Sequence, residues 1–344
     1  MHLTIVGAGA IGGTVGAYLQ RAGQPVLLVD QDAAHVAAMR ERGLTIRGFA
    51  ETFTVPVEAT TTDALTGPLD TVLLAVKAQH TVAAVTQIAH LLTPSSMVVS
   101  LQNGLCERFI AEIVGPERTV GAFVNFSADY LEPGVIAYGG PGSLYLGELG
   151  GEETARVQAL RETLSVWGDV KITANIWGYL WGKEGYGNML FATALADETM
   201  ADVLDRYRPL MVELGSEVLE VAAREGIVVE PFDNVEPSLF YPRADRRADA
   251  IARSFDDLIA RRRRDLKTKS GIWRDLAVRR RKTEVDDQLG LITAIGAGHG
   301  LSMPLTTRLV AMIHDLEEGR RVMSWNNLEE LDTLRRASYG DAAW

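Results

Sequence analysis

The run Gly7-Ala8-Gly9-Ala10-Ile11-Gly12 stands directly after the apolar stretch Leu3-Thr4-Ile5-Val6, and a helix-compatible stretch follows it. That order predicts a strand, a tight turn and a helix, the arrangement of a dinucleotide-binding βαβ unit. Gly7 allows the turn out of the strand, Gly9 lets the backbone approach a pyrophosphate, and Gly12 lets the helix pack close to the sheet. Ala10 and Ile11 open the helix, whose free N–H groups and positive dipole end suit phosphates. Glycine-rich turns are common, so the motif alone says little. Here the strand, the helix and an acidic residue at the expected distance, Asp30, 18 residues beyond Gly12, occur together. The plainer alternative is a strand–turn–helix with no ligand.

Asp30 ends the apolar run Val26-Leu27-Leu28-Val29. A carboxylate there accepts hydrogen bonds from the hydroxyls of an adenosine ribose and repels a 2′-phosphate. The following Gln31-Asp32 brings no base, so the reading is NAD(H) over NADP(H). Alternatively, Asp30 caps a helix beginning near Ala33.

The first half alternates short apolar runs (Leu3–Val6, Val26–Val29, Val72–Val76, Met97–Leu101) with helical patterns (Thr14–Ala22, His35–Arg42, Thr81–Leu92). This is an α/β pattern, a Rossmann-type doubly wound sheet. Val120–Phe126, Val135–Tyr138 and Ser143–Leu146 read as antiparallel strands extending that sheet, followed by a helix over Glu152–Trp167 and a last strand, Val170–Thr173. Strand signals then stop. Leu180–Leu195, Arg206–Glu225, Ala244–Leu266, Lys282–His299 and Thr306–Glu318 read as helices, and Pro231–Pro242 as a loop. The 344 residues suit two domains: a dinucleotide-binding region over 1–175 and an all-helical region over 176–344, with a boundary near 174–178.

A net charge of −11 argues against nucleic acid and anionic membrane surfaces as partners. The single cysteine, Cys106, fits a reducing compartment and reads as a packed small residue. The Met1–Val6 start reads as a strand and not a leader, and no stretch has the apolar length of a membrane span, so the expected setting is the cytoplasm. Six histidines without ligand spacing predict no metal. The basic runs Arg261–Arg264 and Arg279–Lys282 read either as solvated helix faces or as a lure for an anionic substrate.

Further along, an ordered set of short matches resembles the ketopantoate reductase (2-dehydropantoate 2-reductase) family. The matches are Val76-Lys77-Ala78, Leu101-Gln102-Asn103-Gly104, Ile176 with Leu180-Trp181-Gly182-Lys183, Thr283-Glu284-Val285-Asp286, His299-Gly300 with Met303-Pro304, and Thr307-Arg308-Leu309. The resemblance implies a Rossmann domain joined to a helical substrate and dimerisation domain, and a homodimer. It implies catalytic roles for Lys183 and Glu284, Lys77 near the cofactor, and Asn103 orienting substrate and nicotinamide ribose. The family places asparagines four and eight residues after its lysine; here those positions are Gly187 and Phe191, and Asn188 stands one residue late, about 100° round a helix. Aligned on Asp275, the family's substrate-binding serine position is Gly271, with Ser270 one residue earlier. The stretch from Asp275 to Glu284 is also one residue longer than the family pattern.

Hydride transfer to a ketone leaves a developing alkoxide that needs a proton, and an ammonium at Lys183 can supply it. Otherwise Lys183 is a surface lysine, Glu284 a helix-surface carboxylate, Asn103 a turn residue and Lys77 a solvated strand end. Asn188, Ser270, Trp273 and Arg274 are candidates for a re-made substrate pocket, Arg274 by pairing with a carboxylate; it could equally pair with Asp275. The leading expectation is a NAD-dependent reductase of a small 2-keto acid. Oxidation of a hydroxy acid or polyol-derived alcohol by NAD⁺, an imine-forming relative, and a non-catalytic NAD-sensing protein are the competing readings.

Overall fold

In the computed structural model the run Leu3–Val6 forms strand β1, wholly buried, and Ala10–Arg21 forms helix α1. The structure describes residues 2–265 and 267–341. Met1 of the expected first strand, Leu266 of the helix expected over Ala244–Leu266, and the last three residues of the 176–344 region lie outside the described residues. Two compact units divide between Ile176 and Trp177.

The chain of the first unit continues through β2 (Val26–Asp30), α2 (Ala33–Arg42), β3 (Leu44–Gly48), β4 (Thr52–Val55), β5 (Glu58–Thr61), β6 (Leu69–Leu74), α3 (Thr81–Ala89) and β7 (Leu92–Ser100). It then runs through α4 (Cys106–Val114), β8 (Thr119–Asn125), β9 (Ala128–Glu132), β10 (Val135–Tyr138), β11 (Ser143–Glu148), α5 (Ala155–Leu164) and β12 (Val170–Ile172). An eight-stranded sheet has the order β12-β11-β8-β7-β6-β1-β2-β5. From β5 to β8 all pairs are parallel; β11 joins β8 antiparallel. The order reverses direction at β1, between β2 and β6, which is the switch point where open α/β sheets bind ligands. Buried Leu, Ile and Val from these strands form two apolar clusters, one on each side.

Three expectations need correction. Val120–Phe126 does not begin an antiparallel extension, since β8 runs parallel to β7. Val135–Tyr138 lies outside the main sheet. It joins β3 in parallel and β9 antiparallel in a separate four-stranded sheet of order β4-β3-β10-β9. The cause is non-local pairing: β10 finds its partner in Leu44–Gly48, far back in the chain, and spacing along the sequence carries no trace of that. The helix expected over Lys282–His299 starts later, as a π-helical turn at Asp286–Gly290 that runs into a regular helix from Leu291.

The second unit is helical: α6 (Ile176–Thr193), α7 (Met200–Arg206), α8 (Arg208–Arg224), α9 (Ala248–Arg264), α10 (Gly271–Ala277), α11 (Leu291–Gly298), α12 (Pro304–Glu317) and α13 (Trp325–Tyr339). Its interior is tied by a polar node. Glu217 of α8, buried, accepts from the backbone N–H groups of Leu305 (3.0 Å) and Thr306 (2.7 Å), from the Thr306 hydroxyl (2.7 Å) and from the Tyr339 hydroxyl (2.8 Å). A carboxylate from one helix thus caps the N-terminus of α12, where unpaired N–H groups and the dipole favour negative charge.

Candidate active site

Four strand ends form one row across the sheet: Ser100 pairs with Leu74, Leu74 with Val6, and Val6 with Val29. Because these strands are parallel, the segments that follow them leave the same edge. Those segments carry Gly7–Gly12, Asp30, Lys77 and Asn103.

Gly7 has φ +97°, and a side chain there would lie 2.7 Å from the backbone of Ala75 and Val76. The turn is held by Val29, whose carbonyl accepts from the N–H groups of Gly7 (2.8 Å) and Ala8 (3.2 Å). A side chain at Gly12 would collide with the Gly7 carbonyl and Ile5. Gly9 differs: a Cβ there would meet nothing within 4 Å. The protein's own packing therefore gives no reason for glycine at position 9, and the open space before the α1 N-terminus, which has no side-chain cap, fits a pyrophosphate.

Asp30 and Asp32 are distinguished clearly. Asp32 is the N-cap of α2, its Oδ1 accepting from Ala34 N–H (2.9 Å) and His35 N–H (3.2 Å), and its Oδ2 accepts from the Tyr130 hydroxyl (3.2 Å). Burial, and then the Asp30–Asp32 charges, push the Tyr130 hydroxyl pKa up, so it stays a donor. The alternative reading of Asp30 as the helix cap is thereby replaced; its Oδ1 accepts the Asp32 N–H at 3.0 Å at the end of β2.

Two residues that the sequence reading did not single out support this edge. His35 is buried; its Nδ1 accepts from Gly134 N–H (2.9 Å), so Nε2 carries the proton and donates to the Ala8 carbonyl (2.9 Å). Gln102 donates from Nε2 to the Val76 carbonyl (2.9 Å) and to Thr81 Oγ1 (2.8 Å), tying the Asn103 turn to the segment bearing Lys77. Asn103 itself is exposed, and Lys77 is half-buried. Cys106 is buried and donates weakly to the Asn103 carbonyl (3.3 Å), the packed role expected of it. For Gln102 a signal existed, since it precedes Asn103-Gly104 in the family match. For His35 none did, because its partners are distant in sequence.

In the second unit Lys183 lies half-buried on α6, flanked by the buried side chains of Trp181, Glu184 and Tyr186. Glu284 is 8% exposed, between Thr283 and the π-helical turn. Thr283 is fixed by Glu317 Oε1, which accepts from both its N–H and its hydroxyl at 2.7 Å. π-Helical insertions of this kind concentrate at functional sites.

The remaining substrate candidates lie on α6 (Asn188) and at or within α10 (Ser270, Trp273 and Arg274). Asn188 is 0% exposed, and its Nδ2 donates to the Leu214 carbonyl and Thr306 Oγ1, both at 2.8 Å. Five residues past Lys183, it points about 140° round the helix, into the bundle interior; the expected substrate contact finds no support in that placement. Ser270 caps α10, its Oγ accepting from Trp273 N–H (3.1 Å). Trp273 donates from Nε1 to Asp197 (3.0 Å). Arg274 lies one turn into α10; burial, and then the neighbouring Arg279 charge, lower its pKa. Asp275 is paired with Arg279 (3.2 Å) and Arg281 (2.9 Å). Among the described residues no cluster of His, Cys, Asp and Glu is arranged to hold a metal ion, and no helix is long and apolar enough to cross a membrane.

A doubly wound sheet with an open glycine turn at its switch point, followed by an all-helical unit, is the architecture expected of a pyridine-nucleotide-linked oxidoreductase. Family models described as "Ketopantoate reductase PanE/ApbA" and its C-terminal counterpart match residues 3–151 and 177–317. A 2-dehydropantoate 2-reductase of Mesorhizobium japonicum is 31% identical over 230 residues, 59% of this chain and 70% of its own length. One from Pyrococcus abyssi is 28% identical over 329 residues, 93% of this chain and all of its own. The solved complex of D-mandelate dehydrogenase with NADH is similar with a TM-score of 0.77 and 25% identity, over 93% of this chain and 99% of the other. The chain belongs to the ketopantoate reductase family, and it is an oxidoreductase of that type.

Proposed function

We propose that the protein is an NAD(H)-linked reductase of small 2-keto acids, with ketopantoate the first substrate to try and Lys183 as the proton donor. The observation that carries this reading is the row of strand ends from Ser100 to Val29, which delivers the Gly9 turn, Asp30, Lys77 and Asn103 to one edge. Residues 1–175 serve as the dinucleotide-binding domain and 176–344 as the substrate domain. When bound, the reduced cofactor supplies the hydride.

The chain's own residues do the rest. The N–H groups of Ala10 and Ile11 and the space at Gly9 receive the pyrophosphate. Asp30 accepts from the ribose hydroxyls, and Gln31–Val36 holds no lysine or arginine for a 2′-phosphate, while the ring of His35 is engaged by Ala8 and Gly134. Lys77 and Asn103 stand on the cofactor side, and Asn103 orients the substrate. Lys183 hydrogen-bonds the ketone oxygen and donates a proton as the alkoxide forms. Glu284 is its acidic partner, held by the Thr283–Glu317 contact. Arg274 remains a candidate for the substrate wall, while Ser270 and Asn188 serve the scaffold. The similarity to a dehydrogenase solved with NADH supports the choice of NAD(H). A homodimer belongs to the same proposal and is checked by light scattering.

The test is steady-state oxidation of NADH and NADPH with ketopantoate and a panel of 2-keto acids. The kcat/KM with NADH should exceed that with NADPH by about tenfold or more, the value of one charged hydrogen-bonding group. A tenfold preference for NADPH overturns the ribose argument; no turnover of either with any keto acid overturns the function.

A further inference from the structure

The basic run at the end of α9 is not one uniform surface. Arg261 donates to the Asp233 carbonyl (2.9 Å), Arg263 to Asp205 (2.8 Å), and Arg264 to Ala260 within its own helix (3.2 Å). Arg262 turns inward. Its side chain is 23% exposed; Nε donates to the hydroxyl of buried Tyr186 (2.9 Å) and Nη1 to Asp265 (2.7 Å). Among the described residues, Nη2 has no hydrogen-bond partner.

Tyr186 stands three residues after Lys183 on α6, so the two share a face, and helical side chains lean toward the N-terminus, here toward Lys183. Gly187, four residues after Lys183, is where a side chain would cover the same turn. It has none, and a Cβ there would meet nothing within 4 Å. Open space therefore adjoins Lys183 on α6, and Tyr186 brings a guanidinium with a free edge to that helix.

We propose that Arg262 anchors the substrate's carboxylate, using Nη2. This rests on the functional reading above. In a 2-keto acid the carboxylate is bonded to the ketone carbon, so a cation for the carboxylate must lie close to the proton donor for the ketone. A guanidinium whose Nε and Nη1 are already fixed presents Nη2 in a set direction, which gives geometric selection as well as charge.

The experiment compares the wild type with Arg262→Gln and Arg262→Lys on two acid–neutral pairs: ketopantoate against ketopantolactone, and phenylglyoxylate against its methyl ester. NADH affinity is followed by fluorescence. The expected result is a loss of about 10²-fold in kcat/KM for the acids with Arg262→Gln, about twofold or less for the neutral partners, unchanged NADH affinity, and partial recovery with Arg262→Lys. If acids and neutral partners fall alike, or the acids do not fall, the anchor is refuted. Should Arg262→Gln fail to fold, Arg262→Lys and Tyr186→Phe carry the same comparison, and an unchanged acid-to-neutral ratio in both refutes it. A wild type that reduces the acids, stops with Lys183→Ala, and keeps its acid preference in Arg262→Gln loses only the anchor. A wild type that reduces none of the four probes overturns both readings.

Discussion

Asp30 and Asp32, two residues apart at the end of β2, have separate tasks, and one holds the other: the Asp30 carboxylate accepts the Asp32 backbone N–H at 3.0 Å, while the Asp32 side chain caps α2. Asp30→Ala should therefore lower kcat/KM with NADH by about 10–10²-fold and bring the NADH/NADPH ratio toward one. Asp32→Ala removes a helix cap, worth about 1 kcal/mol, and should lower the melting temperature while leaving the cofactor preference in place. Steady-state kinetics with both cofactors and a thermal melt separate the two.

The contrast between Gly9 and Gly12 gives a second test. Gly12→Ala drives a methyl into the Gly7 carbonyl and should damage the fold of the sheet unit. Gly9→Ala meets no protein atom, so its melting temperature should stay within about 2 °C of the wild type, less than the shift a 1 kcal/mol change produces. Its methyl occupies the space assigned to the pyrophosphate, and NADH affinity should drop by about tenfold or more. Unchanged affinity in Gly9→Ala means the cofactor does not use that space.

The turn at Gly7–Gly12 and the acid at Asp30 were legible because a βαβ unit is built from local signals: an apolar run, glycines at fixed offsets, and a helical period. The all-helical character of the second half was legible for the same reason. The second sheet was not. Its strands at 44–48 and 128–138 are short and partly polar, and they exist only because they pair with each other across the chain. Ser270 is a candidate because it stands one residue before the family's serine position; that its hydroxyl also accepts the Trp273 N–H as the cap of α10 depends on where that helix starts, which the sequence did not mark. Helix α13 had a readable period, with buried Leu328, Leu331 and Arg335, yet its many polar residues hid it. Asn188 was displaced by register. Moving one residue along a helix turns a side chain from the face of Lys183 to the bundle interior.

That burial makes a prediction of its own. Asn188→Ala leaves the Leu214 carbonyl and the Thr306 hydroxyl without their donor, and should cost about 2–3 kcal/mol of stability with little change in KM for the keto acid. Chemical denaturation and kinetics on the same preparation check both halves.

Glu213 predicts an acid limit to stability. It is buried and bound by Arg246 and, at 3.0 Å, by Arg243. Burial alone would raise its pKa; the hydrogen bonds from Arg246 and Arg243 outweigh it and hold the carboxyl below the usual range. The unfolded chain then takes up the proton first, at about pH 4.3. The contribution is complete above that value and is lost as pH falls toward the lower folded-state pKa. Glu213→Gln should cost about 3–5 kcal/mol near neutrality, because the largely buried Arg246 loses its carboxylate partner while Arg243 keeps Glu220. It should also flatten the fall in stability below pH 4.3, read as denaturation midpoint against pH.

If Lys183 supplies the proton, Lys183→Ala should lose turnover and keep cofactor binding. Turnover of ketopantoate with NADH is followed by absorbance, beside a fluorescence titration of NADH on the same sample. The expected result is a loss in kcat of about 10²–10⁴-fold with NADH affinity kept within about twofold. A variant that binds NADH normally and turns over within about tenfold of the wild type contradicts it, because the range expected for losing a general acid would then be absent.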